Sequence, residues 1–166
     1  GGINGNPAWS PDGQYVVFAK AGQGIFQARA DGASQPQALT GSKPSQIPWS
    51  FTPDGRRLAY FEGIGNTQIW TMPLEDQGGQ LKAGTPEPFL KSTFSDQVPS
   101  FSPDGHWLAY HSNESGRNEV YVRAFPPPAA IIAFIIAASA GSGPLEPETK
   151  NLAPPAVKVT RGVRFI

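Results

Sequence analysis

The chain of 166 residues contains no cysteine, so disulfides and thiolate-ligated metal sites are excluded. It is also poor in charge. Asp, Glu, Lys and Arg make up 16% of the residues, against a usual value of about 25%. Thirteen basic residues balance thirteen acidic ones, which excludes a broad electrostatic surface for nucleic acid or anionic lipid. The longest apolar run, Ala129 to Ala140, is 12 residues, short of the ~20 that a membrane-spanning helix needs. The chain opens on Gly1-Gly2-Ile3-Asn4-Gly5-Asn6, with neither an initiator Met nor a charged-then-apolar leader. The expectation is an internal fragment whose start and any targeting segment lie elsewhere.

What the chain does have is turn residues. Gly (19) and Pro (18) far exceed their average combined usage of roughly 12%, which implies many turns and few long helices. Aromatic residues, at 11%, are too frequent for a disordered chain. Together these point to many short strands.

One seven-residue pattern occurs three times: Pro7-Ala8-Trp9-Ser10-Pro11-Asp12-Gly13, Trp49-Ser50-Phe51-Thr52-Pro53-Asp54-Gly55 and Pro99-Ser100-Phe101-Ser102-Pro103-Asp104-Gly105. Each copy leads into an apolar run: Tyr15-Val16-Val17-Phe18, Leu58-Ala59-Tyr60-Phe61 and Leu108-Ala109-Tyr110. The spacing is 42 residues from Pro11 to Pro53 and 50 from Pro53 to Pro103, the length of a four-stranded propeller blade. The core of the pattern is a turn with a mechanism. A Ser or Thr oxygen bonds a backbone N–H, Pro presets φ, Asp suits the third position and Gly takes the left-handed one. Such a turn joins two strands of a hairpin.

A further strand is expected in each copy: Ile25–Ala30, Gln68–Pro73 and Glu119–Phe125, all alternating and rich in β-branched or aromatic residues. Gln37–Thr40 and Glu87–Leu90 supply a fourth strand in the first two copies, and the third shows no convincing one. Glu75 to Pro86 reads as a long polar surface excursion. The expected fold is all-β: a partial β-propeller of three four-stranded antiparallel blades plus an irregular C-terminal tail. The blades occupy approximately residues 5–42, 46–92 and 96–126 of a propeller region 1–126. The tail, 127–166, is apolar and then Pro-rich. Three blades fall short of the roughly four to eight of a closed ring, so an open arc is expected, with two apolar faces that invite self-association.

Trp-Ser-Pro-Asp-Gly followed by Leu-Ala-Tyr resembles the PD40, or WD40-like, β-propeller repeat. That family includes TolB-like proteins, propellers attached to bacterial serine/threonine kinases, and those of prolyl-oligopeptidase-type peptidases. The resemblance covers roughly residues 5–126. Within it, Tyr110 to Pro126 looks most like the kinase-attached propellers. The resemblance implies a non-catalytic scaffold with a protein or peptide partner, in a periplasmic or extracytoplasmic setting. The alternative it implies is a fragment of a propeller-containing kinase or peptidase whose catalytic domain is absent.

The tail breaks the pattern. A fourth Pro-Asp-Gly is due near residues 145–153, where Leu145-Glu146-Pro147-Glu148 stands instead. Ala129–Ala140 reads as a segment covering an open blade face, as a membrane-adhering or aggregation-prone stretch, or as the product of a shifted reading frame. Val157-Lys158-Val159-Thr160 is a candidate for one added strand.

Little chemistry is expected. Asp12, Asp54 and Asp104 recur in register, but each serves its own turn. His106 and His111 are the only histidines, and with Asp104 and Glu114 they lack metal-ligand spacing. His106 stands where Gln14 and Arg56 stand in the other copies, which favours solvent exposure. Gly63-Ile64-Gly65 lacks the third Gly of a nucleotide fingerprint and reads as a hairpin loop. Neither a Gly-x-Ser-x-Gly elbow nor a kinase catalytic loop occurs. No catalytic residue, metal or cofactor is expected. Asn113-Glu114-Ser115 is a formal glycosylation acceptor in what reads as a polar loop. Trp9, Trp49, Trp70 and Trp107 are expected between blades, with Trp49 singled out as a channel or partner contact beside Ile47-Pro48.

Overall fold

The computed structural model describes residues 4–41 and 45–127, and the backbone of 157–158. Among these, all regular structure is strand. The first sheet runs in the order β1 (Asn4–Trp9), β2 (Tyr15–Lys20), β3 (Gly24–Arg29) and β4 (Gln37–Ala38). The second contains β5 (Gln46–Phe51), β6 (Arg57–Glu62), β7 (Gln68–Asp76), β8 (Leu81–Ala83) and β9 (Glu87–Pro88). The third contains β10 (Asp96–Phe101), β11 (Trp107–Ser112), β12 (Glu119–Ala124) and β13 (Val157–Lys158). Every pairing is antiparallel. The chain is a partial propeller of three blades.

Glu75 to Pro86 is exposed along most of its length, as expected, but its first part is an ordered strand hairpin rather than an irregular connection. Its first half continues β7 and turns back as β8, so that Leu74 pairs with Ala83 and Asp76 with Leu81. Leu74 and Leu81 are buried, and their apolar side chains fold this arm against the first blade. The middle sheet therefore has a fifth strand. β9 pairs with β7 at Trp70 and Thr71, in the place where β4 pairs with β3, and β8 is an addition beyond it. The third sheet takes its fourth strand from the candidate at 157–160: Val157 and Lys158 pair with Val122 and Tyr121. The apolar run Ala129–Ala140, the reading-frame question and the expected fourth repeat lie outside the described residues.

Alternation builds the core. In β2, Tyr15, Val17 and Ala19 are buried. Tyr15 and Val17 meet Leu58 and Tyr60 of β6 in a cluster with Phe51, Met72, Leu74 and Leu81 between the first two sheets. The opposite face of β6 offers Ala59, which joins Ile69, Phe89, Leu108, Tyr110 and Tyr121 between the second and third. Each such Leu, Ile or Phe contributes about 1.5–3 kcal/mol on leaving water, so blade stacking carries the stability. The first strands of the blades, β1, β5 and β10, adjoin one another and form the inner side of the arc. Each contains a bulge, between Gly5 and Ala8, Pro48 and Ser50, and Gln97 and Ser100. A bulge frees backbone groups from the ladder and sharpens the twist.

The tryptophans depart from the expectation of inter-blade burial. Trp9 and Trp107 are 62% and 48% exposed. Both lie on faces that point away from the other two blades. Trp70 does pack against the first core cluster.

Candidate functional site

Three hairpin corners shape one end of the arc. Each has the same bonds. The Gly N–H donates to the carbonyl of the Ser or Thr three residues before it, at 2.9 Å in all three copies. The Gly φ values, 71°, 70° and 74°, lie in the left-handed region that favours glycine. The Ser10, Thr52 and Ser102 hydroxyls accept from the N–H of Tyr15, Arg57 and Trp107 at 2.9–3.0 Å. The same hydroxyls donate to Oδ1 of Asp12, Asp54 and Asp104 at 2.5–2.6 Å. Each Oδ1 also accepts from the N–H two residues on, at 3.0 Å. These donors hold the carboxyl groups below the usual range, the Ser or Thr hydroxyl contributing most, and Asp104 falls to about 2.

An open groove of about 890 Å³ lies between the first two corners. Ser10, Pro11, Asp12 and Tyr15 line one side, and Pro53, Asp54, Gly55 and Arg56 the other. The β7–β8 arm closes it with Pro73, Leu74, Glu75, Asp76 and Leu81. Four carboxylates against one guanidinium give the groove a negative field. Tyr15 ties the arm in place: its hydroxyl donates to Asp76 Oδ2 at 2.8 Å, and Asp76 Oδ1 accepts from the Gly79 N–H at 2.9 Å. The Tyr15 hydroxyl holds the Asp76 carboxyl below its ordinary pKa, while desolvation and then Asp76 push Tyr15 up. On its other flank the arm borders a polar cleft of about 350 Å³, lined by Arg29, Gln35, Gln37 and Gln80 among others.

The groove thus brings Asp12 and Asp54 together with residues that sequence reasoning passed over. From the sequence Tyr15 reads only as a strand residue, and Glu75, Asp76 and Leu81 as parts of a loop. Gln77-Gly78-Gly79-Gln80, between Leu74 and Leu81, was the available hairpin signal. Asp104 stands apart from the groove, its Oδ2 at 3.3 Å from Nδ1 of His106, whose side chain is 75% exposed. Trp49 is also elsewhere. It sits at the bulge of β5, 37% exposed, with its ring 6.0 Å from that of Phe61. Among the described residues, no group of three or more His, Asp or Glu is placed to hold a metal ion.

No family profile matches the chain. Solved structures do. TolB from Acinetobacter baumannii is 21% identical, with a TM-score of 0.53 over 75% of this chain and 30% of its own. A puromycin-hydrolysing peptidase of Mycobacterium tuberculosis is 20% identical, with a TM-score of 0.57 over 76% of this chain and 22% of its own. The tricorn protease is 15% identical, with a TM-score of 0.53 over 85% of this chain and 15% of its own. At these identities the likeness is one of fold: the chain has the architecture of a TolB-like propeller segment. It spans less than a third of each of these proteins.

Proposed function

We propose that the chain is a non-catalytic propeller scaffold that holds a protein or peptide segment, in the manner of a TolB-like propeller. The observation that carries this reading is the groove between the first two corners. Its walls are hairpins each fixed by the same four hydrogen bonds, and its floor is a tyrosine-anchored arm, so little ordering entropy remains to be lost on binding. Asp12 and Asp54 accept their turn bonds on Oδ1, which leaves Oδ2 of each for an ammonium, guanidinium or N–H of a ligand. A basic, extended peptide fits this chemistry. Trp49, on the inner strand, is a second contact for a longer partner.

The test uses fluorescein-labelled peptides of matched length, one lysine-rich, one glutamate-rich and one neutral. The lysine-rich peptide is expected to bind best, with affinity falling as salt rises. Glu75→Lys should weaken it without changing the circular dichroism spectrum. Equal binding of all three peptides, or none, overturns the reading.

A second reading, the propeller portion of a peptidase, draws support from the likeness to two peptidases. A Gly-x-Ser-x-Gly hydrolase module encoded in the same reading frame would favour it over a free-standing binder.

A further inference from the structure

One set of contacts joins the blades at both internal boundaries. The turn proline of one blade stands against the turn glycine of the next. Pro11 Cδ lies 3.6 Å from where a Cβ on Gly55 would be, and Pro53 Cδ lies 3.2 Å from the same point on Gly105. Beside it, at the second boundary, the Ser50 hydroxyl donates to the Pro99 carbonyl at 2.7 Å and accepts from the Phe101 N–H at 3.2 Å, whereas the first boundary has Ala8 in that position. The bulge prolines of the receiving blades, Pro48 and Pro99, are fully buried.

Each end of the arc carries one half of that set. On the outward face of the third blade, Pro103 and Ser100 are exposed, and Trp107 and Val120 elsewhere on the same sheet are 48% and 37% exposed. On the outward face of the first blade, a Cβ on Gly13 would meet nothing within 4 Å. Pro7, the counterpart of buried Pro99, is exposed there. So is Trp9, at 62%, where Phe51 in the same repeat position is 8% exposed. The first blade's bulge has the register of the third's, so the Pro7 carbonyl and Trp9 N–H stand where Pro99 and Phe101 receive Ser50.

We propose that two copies of this chain close into a ring. The outward face of each third blade seats on the first blade of the other copy. Pro103 then covers Gly13, and the Ser100 hydroxyl bonds the Pro7 carbonyl and the Trp9 N–H. A second copy is the occupant because the two open faces complement each other by the corner contact that the chain already makes twice and the serine bond that it makes once. The contact is head-to-tail, and such contacts form a ring when the rotation closes. Two three-bladed copies make six blades, inside the roughly four to eight of closed propellers, and leave no blade face bare. This proposal is independent of the groove, and its test does not touch groove residues.

Light scattering after size exclusion is expected to give twice the chain mass of 17.7 kDa. Trp9→Glu and Trp107→Glu alter opposite faces, so each alone should give a monomer with an unchanged circular dichroism spectrum. Mixed in equal amounts, the two variants pair one intact first-blade face with one intact third-blade face, and heterodimer should reappear. A homodimer through like faces cannot show this complementation. Because the chain lacks cysteine, Gly13→Cys with Pro103→Cys tests the same contact even if the tryptophan variants unfold. Oxidation should yield a covalent dimer on a denaturing gel. The proposal is overturned by a monomeric parent chain, as when another part of the chain covers a face. Open polymers, dimeric single variants or a failed cross-link overturn it equally.

Discussion

The side-chain amide of Gln27 clasps the backbone of Leu81 from both sides. Its Nε2 donates to the Leu81 carbonyl at 2.6 Å, and its Oε1 accepts from the Leu81 N–H at 2.8 Å. Gln27 is 4% exposed and Leu81 7%, and the residues are 54 positions apart. This pair fastens the β8 arm of the second blade onto the third strand of the first. Gln27→Ala leaves a buried N–H and a buried carbonyl without their partner, at about 1–3 kcal/mol for each group. A fall in the urea midpoint with an unchanged slope is the expected result. Gln27→Glu keeps the acceptor but sets a carboxylate against the Leu81 carbonyl. It should be destabilised near neutral pH and recover towards the parent as acid protonates it.

Gly55 and Gly105 share a positive φ, 70° and 74°, but not the same space. A methyl on Gly55 meets Pro11 at an ordinary contact distance, whereas one on Gly105 presses on Pro53 at 3.2 Å. Gly55→Ala is expected to cost about 1–2 kcal/mol from backbone strain alone. Gly105→Ala should cost more, the excess measuring how tightly the second and third corners stack. Equal thermal shifts for the two variants would show that the corners yield freely.

The turn aspartates set an acid limit. Asp12, Asp54 and Asp104 are depressed below 3.8 in the folded chain, first by their Ser or Thr hydroxyls. Their contribution is fully present above the unfolded value and is lost as pH falls through the folded value, a window from 3.8 to about 2 for Asp104. Urea midpoints should therefore drop across that window. Asp104→Asn should flatten part of the drop, while lowering stability above it.

Asp96 behaves in the opposite sense. Its side chain is fully buried, Oδ2 accepts from the Ser92 hydroxyl at 2.5 Å, and Oδ1 has no hydrogen-bond partner among the described residues. Burial pushes its pKa above 3.8. The unfolded chain then loses the proton first, so stability is lost as pH rises from 3.8 through the folded value. Asp96→Asn keeps the bond from Ser92 and removes the charge. Its urea midpoint should therefore vary less than the parent's as pH rises from 3.8 to neutrality, read from paired urea titrations.

The legible parts of the chain were those that depend on local chemistry. Ser-Pro-Asp-Gly closes a turn by bonds among its own few residues, so Ser10 to Gly13 announces a hairpin wherever it occurs. The alternation of Tyr15, Val17 and Ala19 likewise marks a strand with one buried face. Leu74 and Leu81 were hidden because the segment between them is polar. Only partners 54 and 61 positions away, Gln27 and Tyr15, show that the arm is held down. Trp9 misled because it occupies the repeat position of Phe51, and position in a repeat does not say whether a neighbouring blade is present.

By itself the sequence determined the repeat, the corners and the number of blades, because each follows from steric and hydrogen-bonding rules acting over a few neighbouring residues. The tertiary structure alone decided which faces meet. The groove needs Asp12, Asp54 and Asp76 side by side, and the bare ends need Trp9 and Trp107 turned outward. Those relations arise when whole sheets stack. They depend on distances between residues far apart in the chain, which no local pattern encodes.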